Sequence, residues 1–195
     1  MLGKQPETQL LSNMRFIVVV LAGLVISCSG ENKVAQPQLS KAELELAQAY
    51  GKKLVKKSFG ALSGELEAQI ASKGLDSAIY ACQLKANPII DSVSTAEGVE
   101  IKRIAKRTRN TENKPSKEEK HLIKLMERAQ SANEKLSPFT FLIDSNTIAY
   151  YHPILIQPMC LNCHGEPGVS MREETYETIL NAYPMDKATG YKLND

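Results

Sequence analysis

The sequence predicts an α+β fold in which long helices come first and short antiparallel strands come later. Three observations predict it. Ser40-Lys41-Ala42-Glu43 is a capping box ahead of a long stretch with helical apolar spacing. Phe139 to Ile143 and Ile148 to Ile156 are strand-like runs joined by Asp144-Ser145-Asn146, a good hairpin turn. Near the C-terminus, Glu173 to Ala182 returns to a helical pattern.

Each element has its own reason. Leu44, Ala47, Leu54, Phe59, Leu62, Leu66 and Ile70 keep a rough helical period as far as Gly74, a natural stop. Gly51, Gly60 and Gly64 allow that helix to bend or pack closely. Asp76 caps a second helix running to about Lys85, and Pro88 limits it. On it Ile79, Cys82 and Ala86 form one apolar face, so Cys82 is expected to point inward. Val99 to Lys106 alternates and reads as a strand, Arg109 to Pro115 as a polar loop, and Lys117 to Ala132 as a third helix. In the second hairpin strand Ile148, Tyr150, His152, Ile154 and Ile156 share a face, and Pro153 assigns it to an edge.

The N-terminus reads as targeting. Arg15 precedes an apolar run from Phe16 to Ile26, the pattern of a signal-peptide core. The run is shorter than the roughly 20 apolar residues a spanning helix needs. Val25-Ile26-Ser27-Cys28 resembles the lipobox of bacterial lipoprotein signals. That resemblance implies a signal peptide over 1–27, lipidation of Cys28, and a membrane-anchored protein on the periplasmic side. With Ser29 next, it points to the outer rather than the inner membrane. Met14 is an alternative start. Residues 28–39 are polar, contain Pro37 and read as a lipidated tether. Residues 40–195 then form one domain.

Charge is near balance, at +2 overall, but unevenly placed. Lys102 to Arg128 holds ten basic residues against four acids, and Ala129 to Asp195 four against eight. The basic stretch lacks interleaved aromatics, so a nucleic-acid partner is not expected. Trp is absent, which argues against an indole-built carbohydrate platform. No Ser/His/Asp or paired-carboxylate arrangement suggests hydrolysis, and the chain does not read as an enzyme.

The four cysteines are Cys28, Cys82, Cys160 and Cys163. With Cys28 lipidated, three remain in an oxidising compartment, an awkward number for a disulfide framework. Cys160-Leu161-Asn162-Cys163-His164 has the spacing of a c-type haem attachment site. Two thiols so spaced reach the two vinyl groups of a porphyrin, and the adjacent imidazole lies beneath the iron as an axial ligand. One haem c is therefore the expected cofactor. A redox-active disulfide or half of a zinc site is the alternative use of this pair. A motif so late in the chain, with no second pair, fits neither well. The leftover thiol, Cys82, is either a small apolar filler or occupied in some other way.

Four stretches carry a resemblance: Ala78-Ile79-Tyr80-Ala81-Cys82, Arg103 to Asn113, Tyr150 to Gly165, and Tyr183 to Tyr191 (YPMDKATGY). They are similar, in order, to a family of single-haem c-type domains with a PAS-like fold, found as free cytochromes and as sensor parts of signalling proteins. The resemblance implies a PAS-like antiparallel sheet with flanking helices, His164 as one axial ligand and a cysteine, matching Cys82, as the other. Family members run past the Gly-Tyr pair into a further strand, whereas these residues end at Asn194-Asp195. His152, Met159, Met171 and Met185 compete with Cys82 for the sixth position, and His121 sits on a charged helix. Of the run Lys102, Arg103, Lys106, Arg107 and Arg109, the guanidiniums of Arg107 and Arg109 are candidates for haem propionates. The expected function is electron transfer with a partner protein. A haem-based redox or gas sensor is the alternative, and a zinc- or disulfide-stabilised structural lipoprotein is a third.

Overall fold

Residues 38–195 are described in the computed structural model of the chain. The expected signal peptide (1–27), Cys28 and all of the 28–39 tether except its last two residues lie outside them. Among the described residues no helix is long and apolar enough to cross a membrane.

The first element, α1 (Lys41–Glu97), opens on the expected capping box: Ser40 Oγ accepts from the Glu43 amide at 3.3 Å, and the Glu43 carboxylate accepts from the Ser40 amide at 2.8 Å. It is two arms. Gly74, at φ 83° and ψ 174°, interrupts the helical backbone. A left-handed φ is cheap only for glycine. There the chain folds back, and the arms are tied by Lys85–Glu65 at 2.6 Å, Lys57–Glu97 at 2.5 Å and the Tyr50 hydroxyl donating to the Glu97 carbonyl at 3.3 Å.

The second arm runs through Pro88 to Glu97, past the limit expected at Lys85. A proline inside a helix costs about 3 kcal/mol. Continuing past it buries Ile90 and Val93, each offsetting roughly 1.5–3 kcal/mol. The arm ends on Gly98 in the left-handed conformation, φ 66°.

Val99 to Lys106 is not a strand. The segment is extended, as its alternation suggests, but it finds no ladder partner. Instead Lys102 reaches Glu119 at 3.1 Å and Lys106 reaches Glu127 at 3.0 Å, laying it along α2 (Lys117–Ser131). That helix opens on a second capping box, Ser116 with Glu119.

The sheet has two strands, β1 (Phe139–Leu142) and β2 (Ile148–Tyr151), paired antiparallel with Phe139 opposite Tyr151 and Leu142 opposite Ile148. The second strand stops short of the expected Ile156, because Pro153 has no N–H to give a ladder. Beyond it, Ile156 exchanges backbone hydrogen bonds with the C-terminal Asn194 and Asp195. The Tyr150 ring lies directly over Gly51 of α1, where any Cβ would strike it. This is α+β, with the larger PAS-like sheet absent among the described residues.

A 3-10 turn (Pro158–Cys160) leads into α3 (Leu161–His164), and α4 (Glu173–Ala182) follows. The second arm of α1 packs on α4 through Ile79, Met171, Ile179 and Ala182, with Cys163, Tyr176 and Tyr183 against them. This small core holds the late motif against the early helix.

Candidate functional site

Cys160 and Leu161 both have right-handed helical backbone, so the 3-10 turn and α3 form one continuous helical turn. On such a turn, positions i, i+3 and i+4 share a face. Cys160, Cys163 and His164 therefore project to the same side of one short element. Neither cysteine is in a disulfide, nor is Cys82. Gly165 closes the turn, and a Cβ there would come within 2.6 Å of the Leu161 carbonyl. The motif needs a glycine at that point for steric reasons alone.

His164 is fixed by its other nitrogen. Nδ1 lies 2.7 Å from the Ala188 carbonyl, which can only accept, so Nδ1 carries the proton and Nε2 is left with its lone pair. The Tyr191 ring meets the imidazole edge-on, with centroids 6.1 Å apart. Burial lowers the His164 pKa to about 4, Arg109 adding to the effect and the Ala188 carbonyl opposing it. The ring is a neutral imidazole at neutral pH, the form that binds a metal.

The segment that supplies Ala188 is the Tyr183 to Tyr191 stretch, in which only Met185 was assigned a role from sequence. Asp186 is the centre of it. Its side chain is fully buried, and Oδ1 accepts from Arg109 Nε at 3.0 Å and from the Ala188 amide at 3.2 Å. Arg109 Nη2 also donates to the carbonyls of Cys163, at 2.5 Å, and Ala188, at 3.4 Å. Gly190 and Tyr191 donate backbone bonds to the Gly165 and His164 carbonyls at 2.8 and 2.9 Å. Arg107 stacks on the Tyr191 ring at 3.6 Å and donates to the Thr189 carbonyl at 2.9 Å. Both guanidiniums expected at propionates are thus engaged in bracing the motif loop. An acid with no assigned role inside the resemblance-bearing YPMDKATGY stretch was the available signal for Asp186.

Cys82 lies on the α4-facing side of α1, three residues after buried Ile79 and next to Gln83, whose amide donates to the Ala182 carbonyl. Burial pushes its thiol up, while the charges of Arg103 and Arg109 pull it down. Burial also raises the Cys163 thiol; Arg109 opposes this and Cys82 adds to it. Burial pushes the Tyr183 hydroxyl up to about 12, with Cys82 contributing and Arg109 and Arg103 opposing. Cys82, Cys163, Tyr183, Arg103 and Arg109 therefore share one electrostatic neighbourhood. Arg103 is half-buried, and its guanidinium is pulled down by burial, with Cys82 and Tyr183 opposing and no hydrogen bond contributing.

The competing ligands differ in their surroundings, and Met171 lies in the core against which Cys163 packs. Met171 is 3% exposed inside the core cluster, while Met159 and Met185 are 44% and 67% exposed. His152 Nδ1 lies 3.2 Å from the Tyr150 hydroxyl, and His121 is exposed. Among the described residues no three His, Cys, Asp or Glu side chains converge as a protein-built metal site requires. A porphyrin asks for less, because it brings its own equatorial nitrogens and needs only attachment points and axial donors. Two uncommitted thiols and a neutral, oriented imidazole on one face fit that demand.

Comparison with curated proteins and with solved structures gives no match. A family model described as Tll0287-like matches residues 30–195, the whole of the described chain. The chain belongs to the Tll0287-like family, a cytochrome c-type haem family.

Proposed function

We propose that the chain is an exported, lipid-anchored protein carrying one haem c and serving in electron transfer. In this reading Cys160 and Cys163 would form the thioethers, and His164 Nε2 and the Cys82 sulfur would hold the iron. Cys28 carries the lipid, at the periplasmic face of a bacterial membrane. The observation that carries it is the common face of Cys160, Cys163 and His164 on one helical turn, with the imidazole already oriented by Ala188. A haem held there supplies reversible one-electron exchange at its iron.

The chain's own residues do the rest. His164 keeps its proton on Nδ1 and presents the other nitrogen. The Ile79, Met171, Ile179 and Ala182 core, with Cys163 against it, holds the motif to the arm of α1 that carries Cys82. A thiolate from Cys82 would add negative charge that favours ferric iron and lowers the reduction potential. Arg103 is the propionate partner this reading favours within the basic run, with Arg107 and Arg109 flanking it, since its guanidinium makes no hydrogen bond among the described residues.

Absorption spectra of the protein matured in a host with a haem-attachment system, oxidised and reduced, test this together with Cys82→Ala. The expected outcome is a c-type spectrum in which the substitution changes the ferric form and leaves the haem covalently bound. A ferric spectrum unaltered by Cys82→Ala would remove Cys82 from the iron.

A further inference from the structure

His164 depends on a single acceptor, and that acceptor belongs to neither a helix nor a strand. A carbonyl in an irregular segment has no ladder to hold it, so something else must fix its position. Three bonds do so. The Ala188 amide is tied to Asp186 Oδ1 at 3.2 Å, Arg109 Nη2 reaches the Ala188 carbonyl at 3.4 Å, and the neighbouring Lys187 amide donates to the Thr108 carbonyl at 3.0 Å. Asp186 and Arg109 are themselves locked together at 3.0 Å, and Arg109 also holds the Cys163 carbonyl, one residue before the imidazole.

We propose that Asp186, acting through Arg109 and the Ala188 carbonyl, is the positioning residue that orients His164 and sets the electron-donating strength of its Nε2. This deepens the functional reading above and rests on His164 being an axial ligand. A metal-bound imidazole is tuned by the acceptor on its far nitrogen. Here that acceptor is shared with a guanidinium, which draws electron density from the same oxygen. Asp186 compensates the guanidinium's charge and so keeps the carbonyl a good acceptor for the ring N–H. An ion pair serving only to close a loop has no need of this arrangement. The Asp186 side chain is fully buried, with Oδ2 lacking a donor among the described residues, a state that costs free energy and calls for a reason. Keeping a full negative charge beside the axial imidazole is such a reason.

The experiment uses holoprotein with haem attached and compares the unsubstituted chain with Asp186→Asn. The amide preserves size and still accepts from the Ala188 amide, but loses the charge. Arg109 is then uncompensated and favours the ferrous state. At a fixed poise the ferrous-to-ferric ratio is expected to rise about tenfold, equivalent to about 59 mV for one electron. The ferric electron-paramagnetic-resonance g-values should move with it. A lower melting temperature with unchanged potential and g-values would show a loop brace only and overturn the proposal. A measurement on the unsubstituted reduced protein needs no variant: the His164 Nδ1 proton should be a slowly exchanging signal, and rapid exchange would equally overturn it. A holoprotein without any iron-bound His164 defeats the underlying functional reading instead, and is recognised by its spectrum before either comparison is made.

Discussion

The hairpin of α1 and the loop around His164 solve the same problem in opposite ways. In α1 the helical ladder satisfies the backbone, so side chains are free to pack or to pair across the arms, and the pairs are peripheral. Around His164 there is no ladder. The Cys163, Thr189, Gly190 and Ala188 carbonyls are met by arginine side chains, and the Ala188 amide by a carboxylate. Where backbone is irregular, a few charged side chains carry the geometry, and each of them matters more. The site's precision is therefore concentrated in Arg109 and Asp186, whereas the hairpin's stability is spread over many weak contacts.

The largest effect should follow Arg109→Ala. Its partner Asp186 is fully buried, and removing one member of a buried pair costs about 3–5 kcal/mol. Thermal or urea unfolding reads this directly, and a loss under 1 kcal/mol would place the pair in the class of surface bridges and erase the contrast.

Acid sharpens the same contrast in the haem-free chain. Folding favours the neutral His164 ring, whose folded pKa of about 4 lies below the ordinary value near 6.5. The stability this contributes is complete above about pH 6.5 and is lost as the pH falls towards about 4, at no more than about 1.4 kcal/mol per pH unit. Urea midpoints of a haem-free Cys160→Ala/Cys163→Ala chain at pH 7 and pH 5 should differ more than those of the same chain carrying His164→Gln. Equal differences would mean that the ring is not held neutral.

In the hairpin the effects are smaller. Gly74→Ala meets open space but must adopt a positive φ with an extended ψ, a region open essentially only to glycine, at about 1–3 kcal/mol. If its melting temperature is unchanged, the fold-back does not depend on that backbone state. Lys85→Ala removes a half-exposed bridge to Glu65 and should cost less than about 1 kcal/mol, an effect that salt screens away.

Legibility follows the same division. Gly74 as a stop, both Ser-capped helices, the Asp144-Ser145-Asn146 hairpin and the haem motif are written in local sequence, because each depends on neighbours a few residues apart. Three features are not local. Helix persistence through Pro88 depends on what Ile90 and Val93 bury. The extended Val99 to Lys106 segment has strand alternation, but a strand exists only if another strand pairs with it, and the lysines are drawn to α2 instead. Asp186 and Arg109 are separated by 77 positions, so no spacing rule connects them. Arg107 and Arg109 illustrate the limit well: their charge was legible, while the carbonyls that occupy them were not.

Acid–acetone extraction of the matured protein tests most directly for a covalent porphyrin at Cys160 and Cys163. The expected result is iron and colour retained by the polypeptide, and released when both cysteines are changed to alanine. Haem recovered in the organic layer from the unsubstituted chain, with both thiols open to alkylation, would contradict it.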